Sequence, residues 1–153
     1  MPASWHKQEH VAIVQLEQAI RLFLDERDYY SAATLAGSSE EISGRIALHA
    51  GKLPIREERM RDLILNFSRK QICSILELKK LDSEEIALEW ILYKYTDWLK
   101  HYREENSEIY INTKVAAYEL ITRALSNMSN CGKTVRHADR FREYAMHAAT
   151  LDE

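Results

Sequence analysis

Apolar residues recur along this chain in steps of three and four, the spacing that keeps them on one face of an α-helix. The first stripe is Ile13, Leu16, Ile20 and Phe23, entered through Ser4 as a helix cap. Asp28 can cap a second helix with Leu35, Ile42 and Ile46 at its core. That helix is rich in small residues: Ala32, Ala33, Ala36, Gly37, Ser38, Ser39 and Gly44. Small side chains let a neighbouring backbone come close, so the stretch from Tyr29 to Ala50 is expected to be the central, most buried helix. Gly51 and Pro54 supply the stop and restart signals.

A third helix, about 55–79, carries Met60, Leu63, Ile64, Phe67, Ile75 and Leu76 on one side and a charged face from Arg56 to Asp62 on the other. Asp82 and Glu85 form a capping box opening a fourth helix, with a stripe of Leu88, Leu92, Tyr95, Leu99 and Tyr102 widened by Trp90 and Trp98. A fifth shows Ile111, Val115, Tyr118, Leu125 and Met128. Beyond Asn130 and Gly132 a short tail helix turns Phe141, Ala145 and Ala148 inward. The connections are about 3 to 8 residues long, so consecutive helices should lie antiparallel. The expected fold is an all-α, up-and-down bundle of five or six helices forming a single domain over residues 1–153.

Composition narrows the function classes. Four glycines and two prolines are too few for many short strands and tight turns. A net charge of −3 argues against a surface coated for nucleic acid, although local patches are compatible with it. No apolar run reaches the roughly 20 residues of a membrane span. The polar stretch from Met1 to His10 does not read as a signal peptide. Cys73 and Cys131 lack metal-type spacing and are expected as reduced thiols in a cytoplasmic protein.

Several motifs invite chemistry. His6-Lys7-Gln8-Glu9-His10 matches the H-x-x-E-H pattern of inverted zinc proteases, because histidines four apart share a helix face. Its place at the N-terminal end favours a solvated first turn, and no metal is expected. There is no Glu-x-x-His pair for a di-metal bundle, no phosphate loop, no dinucleotide fingerprint and no nucleophile elbow, so no cofactor is expected. The fourth helix mixes Trp90, Tyr93, Tyr95, Trp98 and Tyr102 with Lys94, Lys100 and His101. Aromatic faces stack bases and cations pair with phosphates, so this mixture suits nucleic acid, although aromatics at helical spacing also make cores and dimer seams. The tail holds Lys133, Arg136, His137, Arg140 and Arg142, the most basic stretch of the chain. Lys94, Lys100, Arg136, Arg140 and Arg142 are therefore the candidate nucleic-acid-binding residues.

The segment from Asp28 to Ile42 resembles the second helix of HEPN domains, the higher-eukaryote and prokaryote nucleotide-binding helical bundles. Tyr29 or Tyr30 provides the aromatic entry, followed by Ala32 or Ala33, Leu35-Ala36, Ser39 and Glu41, with Arg45 at a usually basic position. The stretch Tyr93-Lys-Tyr-Thr-Asp-Trp-Leu-Lys-His101 and the following helix with Ala117, Arg123 and Ala124 look similar too. The resemblance implies a bundle that commonly dimerises, and a family that includes metal-independent RNases, toxin components and catalytically dead RNA-binding forms. Its RNases use an arginine, usually followed by a polar residue, four to six positions ahead of a histidine. Here Asp97 and His101 keep the polar residue and the histidine, and Thr96 stands where the arginine would be. Lys94 could supply charge but lacks the planar fork that grips a phosphate. A second match, Arg142 to His147, falls in the terminal helix, where chance spacing accounts for it.

On this reading His101 is the candidate acid or base, since imidazole as a residue type can exchange protons near neutral pH. Asp97, one turn earlier, is the candidate to orient it. The leading expectation is a non-catalytic HEPN-like module that forms a homodimer and binds a macromolecular partner such as RNA. The alternatives are a metal-independent endoribonuclease or toxin component using His101, and a protein-binding adaptor.

Overall fold

The first helix starts later than the expected cap at Ser4 suggests. α1 spans Gln8–Arg21 and opens at Lys7, whose extended backbone makes no side-chain cap. Ser4 lies upstream, its hydroxyl 3.0 Å from Nε2 of His6, and does not cap the helix as expected. At its far end α1 widens into a π-helical turn over Leu22–Glu26, which ends on Arg27 in the left-handed region (φ 54°). The turn keeps Phe23 in the core, and the left-handed residue reverses the chain so that α2 begins two residues later. These are features of a computed structural model that describes residues 2–51, 93–101 and 103–151.

α2 (Tyr29–His49) begins as anticipated: the backbone N–H of Ser31 donates to Oδ1 of Asp28 at 3.1 Å. Hydrogen bonds from the Ser31 side chain and backbone hold that carboxyl below its ordinary value. The helix ends at Ala50 and Gly51, the latter at φ 73°, where a glycine carries no Cβ penalty. Its deepest face is not Leu35, Ile42 and Ile46, which are half-buried, but Ala32, Ala33, Ala36, Gly37, Ser39, Ser43 and Ala47. Small residues go deepest because α2 is flanked by α1 on one side and by α4 (Thr113–Asn130) on another, both at close range.

Between them lies helix α3, described over 93–100. α4 is capped by Asn112, whose Oδ1 accepts from the Val115 N–H at 3.1 Å. Its buried face is Ala116, Ala117, Leu120, Ile121, Ala124, Leu125 and Met128. Leu125 and Met128 are buried as expected, whereas Ile111, Val115 and Tyr118 pack at the margin and Ala116, Ala117, Leu120, Ile121 and Ala124 go deeper. The chain then runs into the tail helix α5 (Ala138–Leu151). Phe141 is buried there as expected, while Ala145 and Ala148 are half-buried. Among the described residues every regular element is helical and none is a strand, which makes the fold an all-α bundle.

Buried polar groups are paired both across helices and within α4. Ser39 Oγ donates to the Ala12 carbonyl at 2.7 Å, and Asn127 Nδ2 donates to Ser43 Oγ at 3.3 Å. The Arg123–Glu119 ion pair, 3.0 Å, lies almost out of solvent. At the other end Phe23, Tyr29, Tyr118, Phe141 and Tyr144 form an aromatic cluster with ring centroids 5.1–6.4 Å apart. Among the described residues no helix is long and apolar enough to cross a membrane. The expected third helix, the Asp82–Glu85 cap, Leu88, Trp90, Leu92, Tyr102, Pro54 and Cys73 lie outside the described residues.

Candidate nucleic-acid site: a groove where three helices meet

The site begins with a missing side chain. A Cβ on Gly37 would lie 2.9 Å from Thr96 Cγ2, so glycine lets α3 settle directly on α2. Thr96 fits this contact with its methyl turned to α2 and its hydroxyl donating to the Tyr93 carbonyl at 2.9 Å. It is a packing residue. An arginine at this position, as the RNase pattern requires, would have to displace that contact.

Beside the crossing opens a groove of about 390 Å³. Gly37 and Leu120 line it together with Glu40 and Glu41 of α2, Tyr93, Asp97 and Lys100 of α3, the adjoining His101, and Arg123 of α4. Of the candidate residues, the structure brings Asp97, Lys100 and His101 together here. The expected pairing of Asp97 with His101 is not the one observed. The His101 backbone N–H donates to the Asp97 carbonyl at 3.0 Å, but the Asp97 carboxylate accepts from Arg103 Nη1 at 2.7 Å.

The aromatic residues of α3 divide by exposure. Tyr95 is fully buried and stacks on Trp98, with centroids 6.5 Å apart. Burial pushes the Tyr95 phenol pKa upward, and its hydroxyl has no hydrogen-bond partner. Neither ring is a stacking platform for a ligand. Tyr93 is different: it lines the groove and is 64% exposed.

The remaining cations are elsewhere or engaged. The backbone N–H of Arg136 donates to Glu17 Oε1 at 3.0 Å, and its guanidinium lies 3.7 Å from the same carboxylate. Arg140 pairs with Asp25 at 2.5 Å, and Lys133 with Glu9 at 2.8 Å. The tail's positive charge is thus directed onto the acidic side of α1. Arg142 pairs with Asp139 at 3.0 Å and borders a second cavity, of about 290 Å³, between α4 and α5. Lys94 has a partner too. Lys100 and His101 stand apart: both are exposed, and neither makes a side-chain hydrogen bond or ion pair among the described residues.

Glu9 of the H-x-x-E-H stretch is engaged with Lys133, and no group of three His, Cys, Asp or Glu among the described residues is arranged to hold a metal. In the sequence Gly37 stands out only as a small residue and Glu41 and Arg123 only within the family resemblance; in the fold they line one groove with Glu40. The local signal for their convergence was the small-residue run itself, which marks where another helix can come close. Comparison with protein-family models, with curated proteins and with solved structures gave no match for this chain.

Proposed function

We propose that this chain is a HEPN-like, non-catalytic helical module that binds single-stranded RNA in the groove between α2, α3 and α4. The observation that carries the reading is the placement of Lys100 and His101. Among the described residues both donors are uncommitted, at a groove whose rim also holds an exposed tyrosine. A phosphate can take the two donors while a base lies on the Tyr93 ring. Carboxylates on the facing wall, Glu40 and Glu41, can accept from base edges, as single-stranded RNA exposes its hydrogen-bonding faces.

Two observations favour binding over cleavage. Thr96 occupies the arginine position as a packing residue, and Asp97 is engaged by Arg103 instead of orienting His101. The purified protein is expected to bind a 12-nucleotide RNA in fluorescence anisotropy and to leave it intact over hours without metal. Lys100→Ala combined with His101→Ala should weaken binding about tenfold. Cleavage that disappears with His101→Ala would instead establish the endoribonuclease reading. Binding unaffected by the double substitution would remove the groove from consideration.

The resemblance also supports a homodimer as the working form. Light scattering at tens of micromolar is expected to give twice the chain mass of 17.9 kDa. A single-chain mass would overturn that part of the proposal.

A further inference from the structure

Within four residues the chain carries three nitrogen-bearing side chains: Lys100 and His101 line the groove together with Asp97, and Arg103 pairs with the Asp97 carboxylate. Lys100 and His101 have no side-chain hydrogen bond or ion pair among the described residues. Arg103 is held by Asp97 at 2.7 Å, yet its side chain remains 46% exposed, against 19% for Asp97. The arginine therefore sits on the solvent side of the pair, with part of its donor fork unused. A guanidinium carries five N–H donors, and one bond to one carboxylate oxygen leaves most of them available.

We infer that Arg103 is the phosphate-gripping arginine of this groove, held in reserve by Asp97 and passed to a phosphodiester that reaches Lys100 and His101. This rests on the reading of the groove as an RNA site. The chemistry is an exchange of partners. Arg103 gives up a carboxylate and gains a phosphate with the same planar, bidentate geometry, which lysine cannot reproduce. Exposed ion pairs are worth at most about 1 kcal/mol, so the Asp97 pair is weak enough to be exchanged. Asp97 thus acts as an internal competitor that lowers affinity for loosely fitting anions.

The local balance of charge supports short-range gripping over long-range attraction. Glu40, Glu41 and Asp97 offset Lys100 and Arg123, so no broad positive field draws in a polyanion. Phosphate recognition has to come from direct bonds where Lys100 and His101 line the groove and Arg103 reaches the neighbouring Asp97.

The substitutions separate this role from a merely structural one. If Arg103 served only to close the end of α3, Arg103→Ala and Asp97→Asn would act in the same direction. The exchange predicts opposite directions. Arg103→Ala should weaken binding of a 12-nucleotide RNA about tenfold, and Arg103→Lys should recover little of the loss. Asp97→Asn should tighten binding about threefold. Replacing the RNA linkages by neutral methylphosphonates should abolish the difference between wild type and Arg103→Ala.

A second arm uses inorganic phosphate and follows the Arg103 Nε–Hε resonance by NMR. A saturable shift, reached at lower phosphate in Asp97→Asn, supports the exchange. If RNA does not bind but phosphate moves Arg103 in this way, the RNA reading fails and the subsite stands. If RNA binds and neither Arg103→Ala nor Asp97→Asn changes its affinity, the subsite is overturned and the RNA reading stands. Weaker binding by Asp97→Asn, or an Arg103 resonance indifferent to phosphate, also overturns the exchange.

Discussion

A methyl group added at Gly37 would meet Thr96 Cγ2 at 2.9 Å, closer than carbon atoms tolerate. Alanine would normally favour a helix by about 1 kcal/mol over glycine, so the substitution sets propensity against overlap. Overpacking costs about 1–3 kcal/mol, and the threonine is too short and too branched to swing aside. Gly37→Ala is therefore expected to lose about 1 kcal/mol net in urea unfolding. Thr96→Ser, which removes the obstructing methyl, should recover most of it, and a double-mutant cycle showing no coupling would contradict the contact. Ser39 offers a second residue-scale test. Its buried hydroxyl ties α2 to the Ala12 carbonyl of α1, and Ser39→Ala should cost about 1 kcal/mol by the same measurement.

At the scale of elements the tail helix is the informative case. Phe141 anchors α5 against Phe23 and Tyr118, with centroids 5.6 and 5.3 Å away, and its burial is nearly complete. Phe141→Ala should cost about 3–5 kcal/mol if α5 unfolds with the rest of the bundle. Three ion pairs add a charged clasp between α1 and the tail: Glu9–Lys133, Glu17–Arg136 and Asp25–Arg140. Hydrogen bonds from Lys133 and Arg140 hold the Glu9 and Asp25 carboxyls below their ordinary range. The sign follows from linkage. A carboxyl whose value falls on folding contributes fully at neutral pH, and the contribution is lost as pH falls below about 4. Lys133, raised by its bond to Glu9, loses its share only under strongly alkaline conditions. Amide exchange over 138–151 should therefore accelerate relative to α2 between pH 6 and pH 3, after correction for intrinsic rates. Added salt should act in the same direction at neutral pH. Equal protection at both pH values would show that the clasp contributes nothing.

Those elements also show how far a sequence can be read. Asp28 as a cap, the stop near Gly51 and the amphipathic tail with Phe141 inward follow from local rules, and all three are present. In α4 Leu125 and Met128 were legible as core, but the first turns were not, because Val115 and Tyr118 are larger than Ala116 and Ala117, yet the alanines face the core. Close packing against α2 selects small residues there, and hydrophobicity alone points the other way. The candidate site was legible in part. Asp97, Lys100 and His101 share a short stretch of chain, so their proximity needed no fold. Their contact with Glu40, Glu41 and Arg123 needed three helices to converge.

Across the whole molecule, the separation of roles among cations depends on assembly. A basic tail reads as a phosphate-binding stretch when isolated, but folding sets it against the acidic residues of α1 and neutralises it locally. Among the described residues Lys100 and His101 are left uncommitted. Removing the tail's positive charges with Arg136→Ala and Arg140→Ala is accordingly expected to leave RNA affinity within about twofold of wild type, measured by anisotropy at moderate salt. RNA binding at the groove should show a shallow salt dependence, because few phosphates are neutralised and few counterions released. A loss of affinity on removing the tail arginines, or a steep salt slope, would place the contact surface elsewhere.

The sequence by itself determined that this chain is helical, where α2 finds its capping side chain, and that α2 can be approached closely. Those properties depend on residue spacing and side-chain size, which neighbours in the chain define. Tertiary structure decided which face of each helix is deepest and which carboxylate at the α1 end takes which cation of the tail. Such choices turn on distances between segments far apart in the chain. They have no counterpart in any single window of sequence.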